Sequence, residues 1–150
     1  ENDTVCIIVS RGERNNTLTR IKTAQGTIMD NQIVWVDMPV SDLDRAIKFY
    51  SAIFGTQVTK EQFGDCEYGL LPHAQTNVSG CLAVIDDRKP SANGPLVYFN
   101  AEGRIDEAVN AAKDFDVEII EEKFKMGEHG FRAVLFDTEG NKIALHSSKG

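Results

Sequence analysis

The stretch VWVDMPVSDLDRAIKFYSAIFG, residues Val34 to Gly55, decides the fold, because its hydrophobic period changes once in its middle. Residues 33–40, IVWVDMPV, are rich in branched and aromatic side chains and read as a strand. From Leu43 onward the apolar residues Leu43, Ala46, Ile47, Tyr50 and Ile53 recur every three or four positions, which is one face of a helix. Ser41 or Asp42 can cap that helix, Asp44 places an acid in its first turn, and Gly55 stands where a C-cap glycine belongs.

The same pattern is written a second time. Ile105, Ala108, Val109, Ala112 and Phe115 repeat the helical spacing 62 positions downstream of Leu43. PLVYFNA (95–101) precedes this second helix as IVWVDMPV precedes the first, and GCLAVI (80–85) and NKIALHS (141–147) close the two halves. Pairing Trp35 with Leu96, and Ala83 with Ala144, gives an offset of 61 in both cases. Two further strand candidates lie between helix and closing strand in each half: TQVTKEQF and CEYGLLPH, then VEIIEEKF and FRAVLFD. The sequence therefore predicts an α+β fold of two tandem βαβββ modules, about 31–87 and 94–150, whose eight strands form a curved sheet around a cleft. A helix can cover only one face of each sheet, so the inward-pointing residues of the other face are where function is expected.

Residues 1–30 fall outside the repeat. TVCIIVS and LTRIKT could form a hairpin on a sheet edge, or the segment could wrap the surface or contact a second subunit. With 150 residues, 41% of them apolar, the chain can bury a core without a disulfide framework. Cys6, Cys66 and Cys81 form an odd set without C-x-x-C spacing and read as free thiols in a reducing compartment. The net charge of −7 and the lack of a basic cluster interleaved with aromatics argue against nucleic acid as a partner. No apolar run approaches the roughly 20 residues that cross a bilayer, and TVCIIV is too short for a signal-peptide core, so a cytoplasmic location is expected and no membrane partner.

The repeat carries a resemblance. Val34 to Gly55, with V-x-D-L-x-R-A-x-x-F-Y and a following phenylalanine-glycine, resembles the first strand and helix of the glyoxalase / bleomycin-resistance / dioxygenase (vicinal oxygen chelate) superfamily. FRAVLFDTEGNKIALHS (131–147) resembles its D-P-x-G-N-x-I-x-L turn and last strand, with Thr138 where proline is common, and PLVYFNAEGRIDEAV (95–109) resembles the start of a second module. MDNQIVWV, beginning at Met29, is where a typical member would start, which makes an upstream-derived origin a third reading of the first residues. Enzymes of the superfamily hold a divalent metal with His, Gln or Glu at four equivalent strand positions, leaving coordination sites open to vicinal substrate oxygens. Carried over, those positions are Trp35, Ala83, Leu96 and Ala144, none of which can ligate a metal. The ending I-x-L-H-S is similar to that of a metal-free subset, so no metal and no cofactor are expected.

One step along the same strand faces stand Asp37, Tyr98 and His146. Three readings follow. In the first, a metal-independent binding protein of sequestration or resistance type holds an aromatic or cationic small molecule on Trp35 and Tyr98. Asp37, Asn100 and His146 then edge the cleft, and Glu128, His129 and Arg132 contribute to its lining. In the second, a glyoxalase-like lyase, isomerase or hydrolase uses Asp37 and His146 as an acid/base pair. In the third, a non-catalytic interaction protein fills its own cleft. Relatives pair modules across a two-fold axis, which implies a homodimer.

Overall fold

The computed structural model describes residues 32–74 and 78–150, so the expected N-terminal extension lies outside the described residues. The elements run β1 (Trp35–Pro39), α1 (Leu43–Phe54), β2 (Thr59–Phe63), β3 (Cys66–Leu70) and β4 (Ser79–Ala83). The pattern then repeats as β5 (Val97–Asn100), α2 (Ile105–Lys113), β6 (Ile119–Lys125), a 3-10 turn at Gly127–His129, β7 (Phe131–Phe136) and β8 (Lys142–Ser147). The eight strands form two sheets of four, ordered β1-β4-β3-β2 and β5-β8-β7-β6. In each sheet the first strand lies parallel to the last and the other pairs are antiparallel. One edge of each sheet is therefore the strand that precedes the helix.

Local chemistry explains the helix ends. The Asp42 side chain accepts from Arg45 N–H, satisfying one of the orphan donors of the first turn. Gly55 ends α1 at φ 63°, in the left-handed region that a side chain would disfavour. The apolar faces of both helices meet in one core with the covered faces of both sheets. Phe49 packs edge-on against Tyr50 (centroids 5.3 Å apart, 86° between planes) and against Phe115 (5.5 Å, 89°), while Tyr50 meets Phe99 at 5.5 Å. Phe49 and Tyr50 belong to the first module, Phe99 and Phe115 to the second, so the modules share a single interior. A smaller cluster of Cys81, Ala83 and Ile85, with Trp35 and Tyr68 against it, forms on the sheet face turned away from α1.

The DTEGN turn between β7 and β8 ties the modules together with polar bonds. Asp137 is buried; its Oδ1 accepts from the Glu139 and Asn141 N–H groups, and its Oδ2 from Tyr50 Oη and Asn141 Nδ2, all at 2.8 Å. Asn141 Nδ2 also donates to the Pro39 carbonyl at 2.9 Å, and its Oδ1 accepts from Ser91 N–H. Glu139 reaches the start of α1. Its Oε2 accepts from Ser41 N–H, Asp42 N–H and Arg45 Nη2, and its Oε1 from Arg45 Nε at 2.8 Å. An anion at a helix N-terminus is also favoured by the helix dipole.

Burial alone would raise the Glu139 carboxyl, but the bonds from Arg45, from the Asp42 and Ser41 N–H groups and from Thr138 outweigh it and hold the group below its usual range. Its ionised form is thus bound more tightly in the folded chain than in the unfolded one. That contribution is complete above the unfolded value of 4.5 and is lost as pH falls through the lower folded value. Glu139→Gln is expected to destabilise by about 1–3 kcal/mol at neutral pH. The gap between wild-type and variant urea midpoints should close as pH drops below that value, and a gap that stays constant would rule this account out.

The backbone also corrects the alignment of the two modules. Val40 N–H donates to the Ala83 carbonyl at 2.9 Å, and its counterpart Ala101 N–H donates to the His146 carbonyl at 2.8 Å. Asp37 pairs with Cys81, whereas Tyr98 pairs with Ala144. With the first strands aligned at an offset of 61, the last strands therefore match at 63. Cys81, and not Ala83, is the equivalent of Ala144.

A second correction concerns the thiols. Cys81 is free and buried, but Cys66 is disulfide-bonded, with a partner outside the described residues, so the reading of all three cysteines as free thiols does not hold. Among the described residues no helix is long and apolar enough to cross a membrane.

Candidate functional site

The edges of β1 and β5 face each other across a groove of about 880 Å³. Trp35 and Asp37 from β1, Arg88 and Lys89 from the loop after β4, Leu96 and Tyr98 at β5, and Lys142 at the start of β8 line it. Tyr98 is 45% exposed and Leu96 38%, unusually open for large apolar side chains and positioned to cover a flat ligand.

On the β1 side the Trp35 indole Nε1–H donates to Asp37 Oδ1 at 2.7 Å, and the Cys81 thiol donates to the same oxygen at 3.3 Å. Arg88 stands 4.0 Å from Asp37 Oδ2. The Asp37 side chain is 20% exposed, so it is a carboxylate fixed by two donors with its second oxygen turned to a loosely held guanidinium. Burial, then the Asp37 charge and its hydrogen bond, push the Cys81 thiol up to about 12. Raised in this way, the thiol is a poorer nucleophile than an ordinary cysteine.

On the β5 side Arg132 Nη1 donates to Tyr98 Oη at 3.1 Å, while its Nε and Nη2 fork onto the two oxygens of Glu121 at 3.1 and 2.9 Å. This bidentate pair fixes the tilt of the Tyr98 ring from outside the groove. Asn100 uses its Oδ1 to accept from Glu102 N–H at 2.8 Å, and lines with Tyr98, Phe54, Leu71 and Phe99 an adjoining cavity of about 370 Å³ that shares Val36, Val78, Val97 and Tyr98 with the groove. His146 donates from Nε2 to the His129 carbonyl at 2.8 Å, holding the Gly127–His129 turn against the end of β8. Glu128 is exposed on that turn.

The sequence-derived residues thus fall into two groups. Trp35, Asp37 and Tyr98 share the large groove, and Arg132 supports it through Tyr98. Asn100 lines the adjoining cavity beside Tyr98, and Glu128, His129 and His146 stand elsewhere; within one chain His146 is not among the groove-lining residues and its partner is His129, while the partners of Asp37 are Trp35, Cys81 and Arg88. Sequence reasoning missed Arg88, Lys89 and Lys142. The DDRK run after GCLAVI was the available signal, a basic pair at the mouth of a strand in an acidic chain.

With the corrected register the four positions of the superfamily's metal are Trp35, Cys81, Leu96 and Ala144. An indole and two aliphatic side chains cannot ligate a metal, and the single thiol beside them does not make a site for a divalent ion. Among the described residues no three His, Cys, Asp or Glu side chains converge in a way that could hold one.

A model of the Glyoxalase/Bleomycin resistance protein/Dioxygenase superfamily matches residues 32–145. Among solved structures, a glyoxalase/bleomycin resistance protein from Albidiferax ferrireducens T118 superposes with a TM-score of 0.62 at 21% identity, over 78% of this chain and 99% of that one. TnmS3, an antibiotic binding protein from Streptomyces sp. CB03234, gives 0.61 at 19% identity, over 80% and 98%. The fosfomycin resistance protein FosX from Listeria monocytogenes gives 0.56 at 16%, over 81% and 94%. At these identities the likeness is one of fold. No curated protein matches the chain in sequence.

Proposed function

The chain belongs to the glyoxalase/bleomycin resistance protein/dioxygenase superfamily, and from that membership we propose that it binds a small molecule in the groove between β1 and β5 without a metal ion. The observation that carries this reading is the groove itself: about 880 Å³, within the range of roughly 300–1,000 Å³ typical of small-molecule sites, with Trp35 and Tyr98 presenting aromatic surface to it. Three of the four positions that the resemblance implies for metal ligands, Trp35, Leu96 and Ala144, cannot ligate a metal, which supports metal independence. That TnmS3 is an antibiotic binding protein and FosX a fosfomycin resistance protein supports a small-molecule-binding role of sequestration or resistance type.

Trp35 is the only tryptophan, so its fluorescence reports on the groove directly. Titration of chelator-treated protein with a panel of aromatic metabolites is expected to give saturable changes in emission. Tyr98→Ala should weaken them up to about tenfold, since aromatic pairing contributes roughly 0.5–1.5 kcal/mol. Binding that disappears on chelation and returns with added zinc or nickel would overturn the metal-free reading. Emission indifferent to the whole panel would overturn binding.

A further inference from the structure

The groove has a charge that neither the family match nor the aromatic lining accounts for. The chain carries a net charge of −7, yet the groove is lined by three cations, Arg88, Lys89 and Lys142, and by one carboxylate, Asp37. That carboxylate is already engaged: its Oδ1 accepts from Trp35 and Cys81, and Oδ2 faces Arg88. The cations are not engaged to the same degree. Arg88 has only long ion pairs, 4.0 Å to Asp37 and 3.6 Å to Asp87, and its side chain is half exposed. Lys89 and Lys142 have no ion-pair or hydrogen-bond partner for their ammonium groups among the described residues. Several basic side chains elsewhere on this acidic chain are paired with acids, as Lys60 is with Asp44 and Glu67, Lys113 with Glu122, and Lys123 with Asp106; Lys48 and Lys125 stand without such a partner among the described residues, but singly, whereas the groove gathers three cations.

We infer that the ligand of this groove is an anion: an aromatic or flat apolar body bearing a carboxylate or a similar acidic group. The inference rests on the proposed binding site and names its ligand class. The ring lies on Trp35 and Tyr98, and the acidic group meets Arg88, Lys89 and Lys142. A guanidinium held by one long contact can turn its fork onto an incoming carboxylate, and two ammonium groups add point charges that steer and hold it. Asp37 is then a positioning residue that keeps Arg88 at the groove. A positive cleft in a negative molecule also concentrates anions at one place on the surface, where the field of the remaining protein would repel them. Of the aromatic or cationic ligand expected from sequence, the aromatic body is kept and the charge reversed, because Asp37, the one carboxylate of the lining, already accepts from Trp35 and Cys81 and faces Arg88.

The test compares three probes of nearly equal shape, 4-nitrobenzoate, 4-nitrobenzamide and 4-nitrobenzylamine, by Trp35 quenching and by calorimetry at low and high salt. The carboxylate is expected to bind at least about tenfold tighter than the neutral amide at low salt, with the margin shrinking as salt screens the groove. Lys142→Gln and Arg88→Gln should each reduce the carboxylate's margin over the amide severalfold, and Lys48→Gln, on the exposed side of α1, should leave it unchanged. Equal affinity for carboxylate and amide, or preference for the amine, with binding still weakened in Tyr98→Ala, would overturn the anion inference and leave the binding site standing. Failure of all three probes to quench Trp35 saturably would overturn the site and the inference together.

Discussion

Asp137→Ala is expected to lower the stability of the folded chain by about 3–5 kcal/mol, read as a shift in the urea midpoint at neutral pH with the slope retained. The carboxylate is 3% exposed and accepts four hydrogen bonds, each at 2.8 Å, from the Tyr50 hydroxyl, the Asn141 side chain and two backbone N–H groups. Alanine would strand those donors in the interior, and a stranded buried donor costs about 1–3 kcal/mol. The loss would also spread, because Asn141 holds the Pro39 carbonyl at the end of β1 and the Ser91 N–H in the loop between modules. Tyr50→Phe removes one donor without stranding another and should cost only about 0.5–1.5 kcal/mol. Burial, then the Asp137 charge, hold the Tyr50 hydroxyl well above its ordinary range, so it serves as a donor at every working pH. A loss below 1 kcal/mol for Asp137→Ala would mean that the turn repacks and that the two modules are held by apolar contact alone.

Phe49→Ala should have an effect of similar size, about 3–5 kcal/mol, through the other kind of contact between the modules. Phe49 is fully buried and packs edge-on with Tyr50 on one side and Phe115 on the other. Removing its ring opens a void between two helices that cannot close without drawing the sheets together. Phe63, exposed on β2, offers the comparison: Phe63→Ala should change stability by less than about 0.5 kcal/mol. Thermal unfolding of the two variants, each followed by near-ultraviolet circular dichroism, separates them. Equal midpoints would overturn the assignment of Phe49 to the common core.

The elements were legible in the sequence because each carries its own period. The helix at Leu43 had its cap, its face and its terminating glycine written out, and its copy at Ile105 had the same face. The motif residues Asp137, Glu139, Gly140 and Asn141 were legible as a turn, but not as the joint between modules, since their partners Tyr50, Ser41 and Arg45 lie more than 80 residues away. Alternation placed Trp35 and Asp37 on one face, as found. It could not say how far along its strand Asp37 stands from His146, and the two end up with different partners. Nor could it decide between Cys81 and Ala83, since both are small and buried on one face. Arg88 and Lys89 sit in a loop, where no period predicts direction. Their role emerges only when the loop is seen to return to the β1 edge.

The two-residue difference between the modules, 61 in the first strands and 63 in the last, bears on how a duplicated gene can diverge. Along a strand, neighbouring side chains point to opposite faces, so a shift of one residue would have turned every core residue of β8 into the groove and every groove residue into the core. A shift of two preserves both sets and merely changes which of them stand opposite one another. Tandem copies of this unit can therefore drift against each other only in even steps, and each step exchanges the residue presented at a former ligand position without disturbing the interior. In this chain an offset of two is what makes Cys81, the thiol partner of Asp37, the equivalent of Ala144.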